Sequence, residues 1–464
     1  MSTRNGTSWS GHIPVSKTEV MMGNCAGVDW ASEKHDLLIE DCDGQELTAG
    51  TFSHDEAGVS ALCKTLTRFD VEVIAVERPD GVLVERLLET GVKVLALHPN
   101  QVKAARDRFR ASGGKSDRFD AFVLCELART DAHRFRVLEP DSDATKAIQA
   151  LVRAREDLVA ARVAMGLQLR AELDRFWPGP TRMFQKLDSR ISLAFLSRYP
   201  SPEDACLLGE KRLGGFLKAN GYRNQTPVTV LLERLRSAPS GRAGQIETRT
   251  RRQIVLALVH TLQVMGVQIR ELEAEIAEQL ERHPDGEIFR SFFRTRTSVV
   301  CAATLLAEIG DCRARYPQRD AIASDAGHAP VVVESGKYRN ATFRWACNKR
   351  LRGALRTLAH STRQWNPWAA DLYLQARQRG HDHERALRTV GRAWSRIIWR
   401  CWQSRQTYDP VRHTRLQQHI TVTIPSQSGP RPDITASQRM AGINLTPWAN
   451  RTPTIGSLMA NGLT

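Results

Sequence analysis

Nine cysteines are scattered singly through the 464 residues, and no Cys-x-x-Cys pair occurs. That pattern speaks against a structural zinc and for reduced thiols in a cytoplasmic protein. The lone His381-x-His383 has no further clustered ligand and reads as a solvated turn. No stretch reaches the roughly 18 to 20 apolar residues of a membrane span. The first twenty residues are rich in Ser, Thr and Gly and have no apolar core, so residues 1–22 read as a disordered leader and not a signal peptide. Negative charge is also short. Against 66 Lys and Arg stand 51 Asp and Glu, a formal net charge of +15, with Arg far more frequent than Lys. Arg forks match phosphate oxygens in pairs, so a polyanionic partner is expected; charge that serves solubility alone is the simpler alternative.

The order of elements predicts an α/β domain over 23–138, helices over 139–286, a mostly helical domain over 287–413 and a disordered tail over 414–464. Strands are expected at Ala26–Ala31, His35–Asp41 and Glu46–Phe52, joined by the turn Asp41–Gly44. A helix opens after Asp55, a strand ends at Glu77, and a helix (Val82–Glu89) and a short strand (Val92–Leu97) follow. Three strands joined by tight turns, then strand-helix alternation, is the order of an RNase H-like fold. A long helix follows from Thr145 to Phe176. Val255, Leu258, Leu262, Met265, Ile269, Leu272 and Ile276 form a heptad seam, a coiled coil that either folds back on that helix or pairs two chains. In the last domain, helical spacing makes Trp368, Trp394 and Trp399, with Trp402 just beyond, core residues.

Four acids sit in different surroundings. Asp29 lies in the apolar run Cys-Ala-Gly-Val-Asp29-Trp-Ala, and Glu77 ends Val-Glu-Val-Ile-Ala-Val-Glu77. Asp117 and Asp120 share one face of a helix that Ser116 can cap, although acids there also suit an ordinary helix start. Carboxylates at the ends of buried strands are destabilising unless a partner offsets the lost hydration, and a divalent metal is a common partner. Such hard oxygen donors suit Mg²⁺ or Mn²⁺. Basic residues crowd two places: Arg106, Arg108, Arg110 and Lys115 before Asp117, and Lys337, Arg339, Arg344, Lys349, Arg350 and Arg352 after Ser335. These are the candidate nucleic-acid contacts. Ser335, after a strand and before Gly336, is a candidate exposed nucleophile. Its activation is open between His328, the nearest histidine in sequence, and a metal on the acids.

Taken together, Gly-Val-Asp29-Trp-Ala, the strand ending at Glu77, Lys-Ser-Asp117-Arg-Phe-Asp120-Ala, the run from Gly327 to Lys337 with Ser335, Asn348-Lys-Arg-Leu-Arg-Gly-Ala-Leu355 and Tyr408-Asp-Pro resemble the IS110 family of insertion-sequence transposases. The resemblance covers about residues 24–413. It implies a RuvC-like DEDD domain with Asp29, Glu77, Asp117 and Asp120 as the metal-binding tetrad. It also implies a C-terminal domain in which Ser335 forms a covalent phosphoserine link to DNA. Composite sites between subunits of a dimer or tetramer, and a structured guide RNA (the bridge RNA), come with the family. Three departures stand out: Glu77-Arg-Pro-Asp80-Gly replaces the usual Glu-Ala-Thr-Gly, so Asp80 could join or compete for the metal; Arg294-Thr-Arg-Thr-Ser298 replaces a Pro-Gly-Ile-Gly turn; and the Lys-x-Gly loop after the serine is shortened, with Cys347 where glycine is common before Asn348. The rival readings are a RuvC-like nuclease that hydrolyses DNA with the acids alone, and a non-catalytic nucleic-acid-binding remnant.

Overall fold

The computed structural model describes residues 23–109, 116–135, 137–223, 226–239, 241, 243–294, 298–336 and 338–423. Residues 1–22 and 424–464, which include the expected leader and most of the expected tail, lie outside these. The chain to Tyr408 forms one compact unit, and the residues from Asp409 belong to a second.

β1 (Asn24–Trp30) pairs antiparallel with β2 (Lys34–Glu40), which pairs antiparallel with β3 (Glu46–Ser53). The turn between β2 and β3 is fixed locally: the Asp41 carboxylate accepts from the Asp43 and Gln45 amides, and Gly44 takes φ +84°. After α1 (Glu56–Arg68), β4 (Val71–Val76) lies parallel to β1 on its other side. After α2 (Val82–Glu89), β5 (Lys93–Ala96) extends the sheet in parallel, for the order β3-β2-β1-β4-β5. β1 and β4 are central and covered on both faces, so they read as continuous apolar runs, whereas the edge strand β3 is mostly exposed.

α3 (Pro99–Phe109) and α4 (Asp117–Asp131) complete this part. One sheet face packs Cys25, Val73, Ala75 and Leu95 against Ala121, Leu124, Cys125 and Ala128 of α4. The other packs Ala26, Val28, Ile74 and Val94 against Val59 and Leu62 of α1 and Leu83 and Leu87 of α2. The α4 contact is close at one point. A Cβ on Gly27 would overlap the Ala121 carbonyl and the Cys125 amide.

α5 (Asp143–Phe176) and α10 (Gln245–Arg282) are the two long helices; α6 (Gly179–Met183), α7 (Arg190–Arg198), α8 (Glu210–Ala219) and α9 (Val228–Arg236) lie between them in sequence. Ile148 and Val152 pack with Ile276 and Leu280 in one cluster, Leu169 and Leu173 with Val255, Val259 and Leu262 in another, so the two helices run antiparallel. Arg155 of α5 donates to Glu273 of α10 at 2.6 Å. The heptad seam is therefore used largely within the chain, folded back on the earlier helix. α10 passes a length-and-composition test for a membrane span although its sequence holds no unbroken apolar run of that length; its Val255, Val259, Leu262 and Ile269 are buried in the protein core.

α11 (Gly286–Arg290), α12 (Val299–Ile309), α13 (Ala321–Asp325), the hairpin β6 (Val331–Ser335) and β7 (Tyr338–Thr342), α14 (Lys349–Thr362), α15 (Pro367–Gln378) and α16 (His383–Gln403) follow. Trp394 and Trp402 are fully buried, and the Trp394 indole donates to Thr362 at 2.8 Å. Trp368 packs edge-on against Trp394, and the Trp399 indole donates to the Tyr316 carbonyl. One expectation needs correcting. The segment after Asp409 is not without structure, because α17 spans Pro410–Thr423 and so enters the stretch expected to be a disordered tail. Asp409 accepts from the Val411 and Arg412 amides and Pro410 begins the helix, a local start signal that does not need strong periodicity.

The close approach at Gly27 predicts that Gly27→Ala destabilises the protein by about 2 kcal/mol or more. Thermal unfolding checks this; unchanged melting would mean that α4 need not lie against β1.

Candidate active site

Asp29 lies near the end of β1, directly opposite Asp36 of β2. Like charges across a ladder repel, and the basic chain of Lys34 offsets this. Its ammonium lies 3.1 Å from Asp117 and 3.8 Å from Asp36. The Lys34 pKa is raised, chiefly by the hydrogen bond to Asp117, then by Asp36, with Asp29 contributing through space. Asp36 also accepts from Thr51.

Glu77 follows β4 directly, and Asp120 lies one turn into α4. Ser116 caps that helix by accepting from the Phe119 amide, as its sequence implies. Asp120 is only 1 % exposed. Arg106 of α3 joins these two acids: its Nε is 2.5 Å from Asp120 and its Nη2 is 3.1 Å from Glu77. The four sequence-predicted acids are therefore held in two groups, one around Lys34 and one around Arg106. Among the described residues, no three His, Cys, Asp or Glu side chains converge as a ready metal cluster. Asp80 is exposed and lies 3.9 Å from Arg78, which stacks over the Trp30 ring. Sequence reasoning missed the roles of Lys34, Asp36 and Arg106 here. The period-two spacing of Lys34 and Asp36 on β2 was the available signal for the first two.

Ser335 closes β6 and pairs with Tyr338, exposed to solvent at the hairpin turn, where Gly336 takes φ +56°. No hydrogen bond or ion pair joins it to the four acids among the described residues. His328 does not serve it either. That ring is 5 % exposed, packed where a Cβ on Gly391 would collide with it, and burial lowers its pKa to about 4. Ser335 stands at the far end of the strand, roughly 13 Å of extended chain beyond Val331. Asn348 is structural: it accepts from the Leu351 amide to cap α14 and donates to the buried Glu308 at 2.7 Å.

The predicted nucleic-acid contacts divide. Arg106 is held by Glu77 and Asp120, and Arg350 is paired with Glu156 and Asp157 of α5. Arg108 and Lys349 are exposed, while Arg344 and Arg352 are half-buried beside the loop before α14. Arg110, Lys115 and Lys337 lie outside the described residues, as does the side chain of Arg339.

Both halves of the chain match transposase families. Residues 26–178, which hold all four acids, match a DEDD transposase model of the IS110 type, described as Transposase; residues 295–374, which hold Ser335, match the model described as Transposase IS116/IS110/IS902 family. The mini-circle putative transposase for IS117 of Streptomyces coelicolor is 31 % identical over 397 residues, covering 83 % of this chain and 95 % of that protein. This chain belongs to the IS110 family of insertion-sequence transposases. An uncharacterized 44.8 kDa protein of insertion element IS116 from Streptomyces clavuligerus is 26 % identical over 389 residues, covering 83 % of this transposase and 96 % of its relative. A putative transposase, y4uE, of Sinorhizobium fredii is 32 % identical over 204 residues, 43 % of this chain and 57 % of that protein.

Removing the guanidinium that bridges Glu77 and Asp120 has a predictable cost. Arg106→Gln should lower stability by about 2 kcal/mol at neutral pH, below the range for breaking a fully buried pair because Arg106 is partly exposed. Millimolar Mg²⁺ should recover part of this in thermal unfolding if the acids accept the ion. Melting that is unchanged in both conditions would show that the two acids do not depend on Arg106.

Proposed function

We propose that this transposase excises and inserts its own element through a phosphoserine–DNA intermediate at Ser335, with the acids of the N-terminal domain preparing the phosphate. The observation that carries this reading is the exposed position of Ser335 at a hairpin turn, within the segment 295–374 that matches the family, in a stretch whose sequence is rich in basic residues that suit a phosphate. In the chemical step a bond forms from Ser335 Oγ to phosphorus as a bond from phosphorus to a deoxyribose oxygen breaks. The serine proton passes to a base and the departing sugar oxygen takes up another. Because one phosphodiester replaces another, an incoming DNA hydroxyl can reverse the transfer without an energy-supplying cofactor.

The sheet order β3-β2-β1-β4-β5, with three antiparallel strands followed by two parallel ones, supports an RNase H-like, RuvC-like reading of the N-terminal domain. Asp29, Glu77, Asp117 and Asp120 would hold Mg²⁺ or Mn²⁺, which neutralises charge at phosphorus when bound. Their oxygen donors suit these ions, and two cations, Lys34 and Arg106, already lie among them. The net charge of +15 suits a protein that carries a guide RNA as well as DNA. His328 is buried and does not serve Ser335, so in this proposal the four acids, which would hold the metal and would come from another subunit of a dimer or tetramer, take the part of activating the hydroxyl. A reaction on the element's own DNA implies a cytoplasmic protein.

Ser335→Ala should abolish both recombination and any DNA adduct trapped by denaturation, while Asp29→Asn should abolish recombination with the fold intact. Cleavage that survives Ser335→Ala without an adduct would favour a hydrolytic nuclease, and recombination that survives both changes would rule out these residues. Gentle, low-salt purification should yield a discrete element-derived RNA on sequencing; its absence would count against guidance.

A further inference from the structure

Beyond the hairpin that carries Ser335, residues 343–347 hold an aromatic side chain in an unusual position. Trp345 is 78 % exposed, whereas Trp394 and Trp402 are fully buried. Its surroundings are nevertheless ordered. Phe343 lies edge-on against it with ring centroids 4.8 Å apart. The Arg352 and Arg388 guanidiniums lie 4.6 and 4.8 Å from the Phe343 centroid. Arg352 donates to the Arg344 carbonyl at 2.8 Å and contacts the Cys347 thiol, which ties both sides of Trp345 to α14. Gly327, with φ +67°, leaves room for this: a Cβ there would meet Arg352 Nη2 at 2.6 Å and Cys347 Cβ at 3.0 Å.

Charge here is also unbalanced. Arg350 and Arg356 on the same helix are paired with carboxylates. Among the described residues, Arg344, Lys349, Arg352 and Arg388 have no carboxylate within ion-pair distance. An indole held in water forgoes burial, and clustered cations repel one another; a ligand that is both flat and anionic relieves both costs. Nucleic acid has that character, and only a base that is not stacked in a duplex offers its face to a side chain.

We propose that Trp345 stacks on an unpaired DNA base, while Arg344, Lys349, Arg352 and Arg388 hold the phosphates on either side. This rests on the reading of the chain as a DNA transposase and adds the contact by which it takes hold of an opened strand. Trp345 is a positioning residue and takes no part in the bond changes at Ser335.

The test uses the full chain and a fluorescein-labelled single-stranded thymidine oligonucleotide, with its uridine RNA counterpart. Trp345→Ala should weaken binding to the DNA strand by about tenfold or more, as loss of one base stack does. Trp345→Phe should recover most of it. The dependence of affinity on salt should stay unchanged in both, because no phosphate contact is lost, whereas Arg344→Gln should flatten the log–log slope by about 0.7. Ultraviolet crosslinking should place a thymine adduct on the peptide holding Trp345. Unchanged DNA affinity in Trp345→Ala, failure of Phe to rescue, or a loss confined to the RNA strand would each overturn the proposal. Trp345 is exposed, so an unaltered melting curve is expected and separates this from misfolding. The binding assay is independent of Ser335: loss of the phosphoserine reading would leave it standing, and a normal Ser335 adduct in a Trp345→Ala protein with normal DNA affinity would sink only the stacking contact.

Discussion

The approach of α4 to β1 at Gly27 is the constraint on which the acidic site depends. With no side chain between helix and strand, the first turn of α4 lies close enough to the strand ends for Asp120 to be nearly inaccessible and still share Arg106 with Glu77. A carboxylate with so little hydration is stable only beside a compensating charge. The packing that brings the acids near one another therefore also requires cations among them. Lys34 meets that need on the side of Asp29, Asp36 and Asp117, and Arg106 on the side of Glu77 and Asp120.

The second half of the chain follows the opposite rule. The hairpin of Ser335 has exposed Val332 and Val333 as well as the exposed serine, and among the described residues no titratable side chain hydrogen-bonds to the hydroxyl. His328, the histidine nearest in sequence, is instead a core residue seated over Gly391. Burial explains its lowered pKa, and a ring so enclosed belongs to the packing that supports the loops around it.

The same contrast sorts the basic residues. A net charge of +15 is a sum over the whole chain and does not distinguish a cation that meets phosphate from one that meets a carboxylate. Arg350 and Arg356 lie near Arg352 in sequence, yet the first two pair with acids from α5 and from the start of α16. Those partners are up to 194 residues away, so no local pattern reveals them.

Much of the framework was legible in the sequence. The alternation of strands and helices, the helix start at Ser116, the seam in α10 and the core tryptophans all follow from local rules of periodicity and capping, which act within a few residues. Residues Pro410–Thr423 show the limit of weighing periodicity above caps. Local patterns also nominated Asp29, Glu77, Asp117, Asp120 and Ser335. Only the tertiary structure decided how these are held: Arg106 between Glu77 and Asp120, Lys34 beside Asp117, His328 buried away from Ser335, and Trp345 left in water. The reason is physical. Burial and ion pairing are set by what distant segments bring into contact, whereas sequence spacing reports only on neighbours along the chain.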